Sequence, residues 1–273
     1  MRQRIVLIIL LTLALIGGTW RYFRVNKSYV ARWPAMGTLA RFEAKGDIEG
    51  APLDELRVSA RENFERLEKL LSAHDKDSEM NRLFRGYTGA PGTLPEGITP
   101  EVVPCYEMAF KLKEISGGAF NPFWKGDGTV DLGAIAKGFA LDSTYALLKR
   151  RRSFTHRHEK MLLDLGGNLL SMSGSWTTGI RDPASEGGVA RRIELQPGEA
   201  VATSGEYERG KHIYDGRTGQ PVDNDVASVT VVHPNSAMLA DGLSTTLFVL
   251  GRVAGEEFLA RNFPEARAYW IMR

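Results

Sequence analysis

The stretch Val130-Asp131-Leu132-Gly133-Ala134-Ile135-Ala136-Lys137-Gly138-Phe139-Ala140-Leu141-Asp142 constrains this chain more than any other. Small residues crowd a short turn between an apolar strand end and the start of a helix. Glycine tolerates dihedrals closed to other residues, and a backbone with so little side-chain bulk can come close to a ligand. A helix starting there offers unpaired N–H groups and a positive dipole end to an anion. Lys137, on its first turns, adds a mobile positive charge. By itself the stretch is equally a tightly packed corner with a surface lysine. What the rest of the chain places beside it must decide.

The chain has 273 residues, 25% charged and 43% hydrophobic, which suits one large domain or two intimate lobes around an ample core. A net charge of +2 with scattered basic residues gives no ground for a nucleic-acid partner. The run Lys149 to Arg152 with Arg157 reads as a solvated helix end. Cys105 is the only cysteine, which excludes an intramolecular disulfide and a thiolate metal site. Between Pro104 and Tyr106 it reads as a buried small hydrophobe. At the N-terminus, Arg2 and Arg4 precede an uncharged run from Ile5 to Trp20, followed by Arg21-Tyr22-Phe23-Arg24. Residues 1–26 therefore read as a signal peptide or N-terminal membrane anchor, and 27–273 as the folded body. Gly17-Gly18-Thr19-Trp20 is a poor cleavage site, which favours an uncleaved anchor carrying an exported body.

Along the body, Leu39, Arg41 and Glu43 alternate after Met36-Gly37-Thr38, a strand pattern. Leu53, Leu56, Ala60, Phe64, Leu67 and Leu71 recur at spacings of three and four and predict a helix over 52–71, with Pro52 at its first position. A polar loop over 72–79 and a Gly/Pro/Thr-rich loop over 86–97 follow. Thr99-Pro100-Glu101 opens a second helix that stops at Gly117-Gly118. A helix to about Arg152 follows the central turn. Short strands are predicted over 161–165, 176–180, 193–195, 200–203, 226–233 and 266–272, and helices over 237–250 and 254–262. Without regular strand–helix alternation, the fold class is α+β, with mixed or antiparallel sheets and packed helices.

Asp241 and Thr245 lie one turn apart on one face of the helix from Ala237. A carboxylate and a hydroxyl at that spacing suit a hard cation. They equally describe a buried aspartate bonded to a nearby backbone group. His212 sits where a strand runs into a turn, and His156 and His158 lie in a basic loop. No GxxxxGK[ST] and no GxGxxG occurs, so the common nucleotide-binding folds lack support.

Eight short motifs, in order, resemble the ApbE family of FAD:protein FMN transferases. They are Met36-Gly37-Thr38; Asp77-Ser78-Glu79; Ser116 through Pro122; Asp131 through Asp142; Asp164-Leu165-Gly166-Gly167-Asn168; Ala202-Thr203-Ser204-Gly205; His212-Ile213 with Thr218-Gly219; and Ala240 through Thr245. The resemblance implies an ApbE-like, T-fold-like domain that binds FAD and Mg²⁺. It also implies transfer of FMN through a phosphoester to a threonine of an acceptor flavoprotein subunit, with release of AMP. By residue match, Asp241, Thr245 and the Ala134 carbonyl would hold the cation. Met36, His74, Ala119, Phe120, Asn121, Asp131, Lys137 and Ile213 would contact FAD, and His212 would help deprotonate the acceptor hydroxyl. The expected place is the bacterial inner membrane facing the periplasm, or an exported state.

The chain departs from the family pattern at five places. His74 replaces a flavin-stacking tyrosine, Asn121 replaces an aspartate, and Gly216 stands where proline is usual. The segments from Pro122 to Asp131 and from Tyr207 to His212 are short. The pared-down site keeps two alternatives open: a Mg²⁺-dependent FAD diphosphatase releasing FMN and AMP, and a non-catalytic flavin-binding or delivery protein.

Overall fold

Nine residues on each side of Met36-Gly37 pair as an antiparallel hairpin, Lys27–Ala35 (β1) and Thr38–Gly46 (β2). Both turn residues have positive φ, 49° and 69°, the two-residue geometry whose twist matches that of the strands. The computed structural model describes residues 12, 27–46, 50–89, 92–151, 160–185, 187–206 and 210–273. The predicted anchor (apart from Thr12), Arg157, His156, His158 and Tyr207 lie outside these. Among the described residues no helix is long and apolar enough to cross a membrane.

The remaining strands are Lys160–Leu165 (β3), Asn168–Ser173 (β4), Trp176–Arg181 (β5), Val189–Leu195 (β6), Ala200–Gly205 (β7), Tyr214–Asp215 (β8), Gln220–Pro221 (β9), Val226–His233 (β10) and Arg267–Met272 (β11). Seven of them form one sheet in the order β1-β2-β3-β4-β7-β10-β11, every neighbouring pair antiparallel. The helices are Gly50–Leu71 (α1), Glu79–Phe84 (α2), Val103–Ile115 (α3), Ala136–Lys149 (α4), Ala237–Leu250 (α5) and Arg252–Asn262 (α6). The fold is α+β, as the element pattern predicts.

Period-two alternation divides the sheet into two faces. Leu163, Leu165, Leu170, Ala200, Ala202 and Val231 pack into the large core under the helices. Leu162, Leu169, Val201 and Val232 point the other way, beneath the β5–β6 hairpin with Trp176, Ile180, Ile193 and Leu195. All six apolar positions that predicted α1 are buried in the main core. The helix starts at Gly50, so Pro52 lies two residues inside it.

Several local expectations are corrected. Val130–Leu132 is not a strand; the segment between α3 and α4 has no strand at all. β4 was hidden because its first five residues are buried on both faces, which erases alternation. The second helix does open at Pro100 as predicted, with a 3₁₀ turn, Pro100–Val102, ahead of α3, and the Thr99 N–H before it donates to Glu79 Oε1 at 2.9 Å. Within the predicted polar loop, Ser78 Oγ accepts from the Asn81 N–H at 3.1 Å and starts the six-residue α2. Cys105 is buried as expected, and burial pushes its thiol well above the ordinary range.

Candidate active site

The central motif works by bringing two helices into backbone contact. A Cβ on Gly138 would lie 2.2 Å from the Ala237 carbonyl oxygen and 2.7 Å from Met238 Cα. Only glycine lets α4 and the start of α5 approach this closely. One turn further along α4, Asp142 caps α5 from outside. Its carboxylate accepts from the Ala237 N–H at 2.7 Å, the Met238 N–H at 3.0 Å and Ser236 Oγ at 2.8 Å. Two orphan N–H groups of the helix end are thereby satisfied. Burial raises the Asp142 carboxyl above its usual range, and these hydrogen bonds oppose the rise.

This clamp delivers Asp241, one turn into α5, to the first turn of α4. The Gly138 N–H donates to Asp241 Oδ2 at 3.0 Å. In a regular helix that N–H would go to the carbonyl four residues back, Ala134. The Ala134 carbonyl is thus left open while the helix end holds the protein's own carboxylate. Asp241 is only 5% exposed. Lys137 Nζ lies 3.7 Å from its Oδ2 and donates to the Gly133 carbonyl at 2.9 Å. Thr245 follows one turn on, its Oγ1 3.1 Å from Ser204 Oγ on β7, which also bonds Ser244 Oγ at 2.9 Å.

Asp241, Thr245 and Ala134 line an open cleft of about 430 Å³. Eleven of the twelve predicted site residues line it: His74, Ala119, Phe120, Asn121, Asp131, Ala134, Lys137, His212, Ile213, Asp241 and Thr245. Met36 does not. It occupies the β1–β2 turn, half-buried against the edge of the main core. Three oxygens of carboxylate, hydroxyl and carbonyl type are the donor set a hard cation takes. Among the described residues no group of three His, Cys, Asp or Glu could hold a metal.

The opposite wall explains two departures together. Asn121 Nδ2 donates to the Gly216 carbonyl at 2.9 Å, and its Oδ1 accepts from the Phe123 N–H at 3.0 Å. An aspartate here could not donate the first bond. The Gly216 N–H in turn donates to the Ala119 carbonyl at 3.2 Å, which a proline could not do. A Cβ at 216 would lie 2.5 Å from the Gly118 carbonyl oxygen. Asn121 and Gly216 are therefore one fitted pair.

The short segment after Pro122 closes on itself, the Asp131 N–H donating to the Pro122 carbonyl at 2.8 Å. Trp124 within it donates to Asp131 Oδ2 at 3.3 Å and stacks on Tyr214, ring centroids 4.1 Å apart. Both aromatics line the cleft, and the sequence reading missed them, as it did the cap made by Asp142 and two further lining residues, Asn168 and Ser204. Only the last two fell in motifs without an assigned task, the signal that could have found them.

His212 is exposed, with Nδ1 2.7 Å from the Gly210 carbonyl. A carbonyl only accepts, so in the neutral ring Nδ1 carries the hydrogen and Nε2 is the open base. His74 follows the end of α1 in a turn where the Ser72 hydroxyl accepts its N–H at 3.2 Å. Its side chain lines the cleft and also a smaller adjoining one with Lys76, Phe84 and Arg85.

The sequence profile of the ApbE family matches residues 123–270. A FAD:protein FMN transferase of Treponema pallidum is 28% identical over 311 aligned positions, covering 86% of this chain and 82% of that protein. One from Klebsiella pneumoniae is 39% identical over 130 positions, covering 45% of this chain and only 39% of the relative. The chain thus matches about two fifths of the length of one relative and about four fifths of the other. Among solved structures, the apo flavinyl transferase ApbE of Pseudomonas stutzeri superposes with a TM-score of 0.72 at 26% identity, over 91% of this chain and 92% of that one. The ApbE protein of Thermotoga maritima gives 0.74 at 23% identity, over 90% and 94%, a likeness of fold. With the match spanning more than half of the chain and the fold shared almost end to end, this chain belongs to the ApbE family.

Proposed function

We propose that the protein transfers FMN from FAD to an acceptor protein. The observation that carries this reading is the meeting of Asp241, Thr245 and the open Ala134 carbonyl beside Lys137 in one cleft. The family relationship supports the same reading. The finer chemistry we propose is attack by an acceptor threonine hydroxyl on the FMN phosphorus. A new P–O bond to threonine forms, the P–O bond to the AMP phosphate breaks, and AMP leaves. His212 Nε2 takes the hydroxyl proton, as a base whose Nδ1 is already committed to Gly210.

Asp241, Thr245 and Ala134 would hold Mg²⁺, which offsets charge on the diphosphate when bound. That set holds a single carboxylate, so a bound cation would keep positive charge to offer the diphosphate. Lys137 adds positive charge at the same end, and the backbone-to-backbone contact at Gly138 holds the carboxylate in place. This is the positioning and charge neutralisation that phosphoryl transfer needs. The uncharged run behind Arg2 and Arg4 supports a body exported and tethered by residues 1–26, where membrane acceptors are reached.

The test is to incubate the protein with FAD, Mg²⁺ and a threonine-bearing acceptor peptide, following AMP release and peptide mass. Transfer predicts AMP together with a peptide heavier by FMN, and loss of both in Asp241→Asn. AMP without a peptide gain would replace transfer by FAD hydrolysis, and neither product would leave a binding protein.

A further inference from the structure

Asn168 is the one cleft-lining side chain whose buried polar atom lacks a partner among the described residues. It opens β4 directly after the Gly166-Gly167 turn, is 4% exposed, and lines the cleft. Its Nδ2 is sealed from solvent and hydrogen-bonded to nothing. Buried amide donors are nearly always paired, and leaving one unpaired carries a standing cost to the fold. An exception on a cleft-lining residue points to a ligand atom as the acceptor this amide can turn to.

The side chain's place in the sheet says which atom. Leu170 and Met172, two and four residues on, pack in the core under the helices, whereas Leu169 packs on the far face. Asn168 therefore faces α4 and α5. β4 pairs with β7 through Leu169↔Val201 and Leu170↔Ala200. Continuing that register sets Asn168 opposite Ala202, with Ser204 as its diagonal neighbour on the same face. Ser204 is the residue bonded to Thr245. The unpaired amide thus lies on the same sheet face as Ser204, the partner of Thr245, in the wall of the cleft that Asp241 and Thr245 also line. A half-turn of the planar carboxamide exchanges Nδ2 and Oδ1 with little change of shape, so the donor can swing to the cleft when an acceptor arrives.

We propose that Asn168 binds the dinucleotide directly, donating its amide N–H to a phosphoryl oxygen of the diphosphate. Phosphoryl oxygens only accept, and this site otherwise offers them Lys137 and the cation that Asp241, Thr245 and Ala134 would hold. The inference rests on the FAD-site reading above and adds a contact to it.

The test compares the wild-type protein with Asn168→Leu, similar in size but without polar atoms. Affinities for FAD, ADP and riboflavin are measured with Mg²⁺ present, alongside the melting temperature without ligand. Because the lost bond is to a charged oxygen, FAD and ADP binding should weaken by roughly tenfold to hundredfold. Riboflavin binding should hold, and the ligand-free melting temperature should stay level or rise, since an orphan donor has been removed. Should the Leu variant fail to fold, Asn168→Ala carries the same comparison. Unchanged FAD and ADP affinities would overturn the contact, and the amide would then be served by water alone. An equal loss for riboflavin would move the contact to the flavin ring and overturn the diphosphate assignment. A wild-type protein that binds neither FAD nor ADP would instead refute the FAD-site reading itself.

Discussion

Gly138→Ala sets local propensity against tertiary contact at the point where α4 meets α5. In an exposed helix interior, alanine is favoured over glycine by about 0.8–1 kcal/mol, so propensity alone predicts a more stable protein. The added Cβ, however, would lie 2.2 Å from the Ala237 carbonyl oxygen and 2.6 Å from its carbon. Restoring ordinary contact needs a separation of roughly 1 Å or more between the two helices. Neither contact atom belongs to a flexible side chain that could swing aside. Overpacking of this kind costs about 1–3 kcal/mol. The shift also stretches the Gly138 N–H bond to Asp241, a charge-assisted bond worth about 1.5–3 kcal/mol. With that bond lost, subtracting the propensity gain leaves a net destabilisation of roughly 1.5–5 kcal/mol. At roughly 2–4 °C per kcal/mol for a chain of this size, the melting temperature should fall by several degrees. Calorimetry or a urea titration with an unchanged slope would measure it. On the proposed cation site, Asp241 moves with the helix, so the Mg²⁺ concentration needed for FAD turnover should rise as well. A variant that melts at or above the wild-type temperature with an unchanged Mg²⁺ requirement would refute the backbone-to-backbone contact and the siting of Asp241 by it.

Two further outcomes follow from the structure. His74→Tyr should tighten FAD binding by about 0.5–1.5 kcal/mol, the scale of an aromatic stacking pair, without altering the Mg²⁺ requirement; equal affinities by flavin fluorescence would remove His74 from the flavin. His233, 2% exposed with its Nε2 3.3 Å from Glu265 Oε1, has its pKa lowered by burial despite that partner. Its neutral form is the one the fold prefers, so its contribution is full above an unfolded-state pKa of about 6.5 and is lost as pH falls through and below it. Between pH 7 and 5 the urea midpoint should therefore fall more for the wild type than for His233→Gln; parallel curves would show that this imidazole does not drive the loss.

Regular periodicity made much of the fold legible from the residues. α1 was readable because its six apolar positions repeat at helical spacing and all face one core. β10 and α5 were readable to the residue, since a β-branched run and a serine-capped apolar helix are local signals. The α+β class followed from the irregular order of such elements. Asp241 and Thr245 could be paired from spacing alone, because one helical turn puts them on a single face. What spacing could not decide was whether that face meets a ligand or a neighbouring backbone. In the tertiary structure that face meets a neighbouring backbone and opens on a cleft: Asp241 takes the Gly138 N–H and also lines the cleft. Asn121 and Gly216, 95 residues apart, read as two separate departures until the fold showed one bonded pair. Asn168 could be noticed as part of a motif with no assigned task, but its unpaired amide could not, since an unpaired amide is defined by what surrounds it. Periodicity is a property of neighbours in the chain, whereas close approach, shared hydrogen bonds and orphaned donors belong to neighbours in space. Only the packed structure brings the latter together.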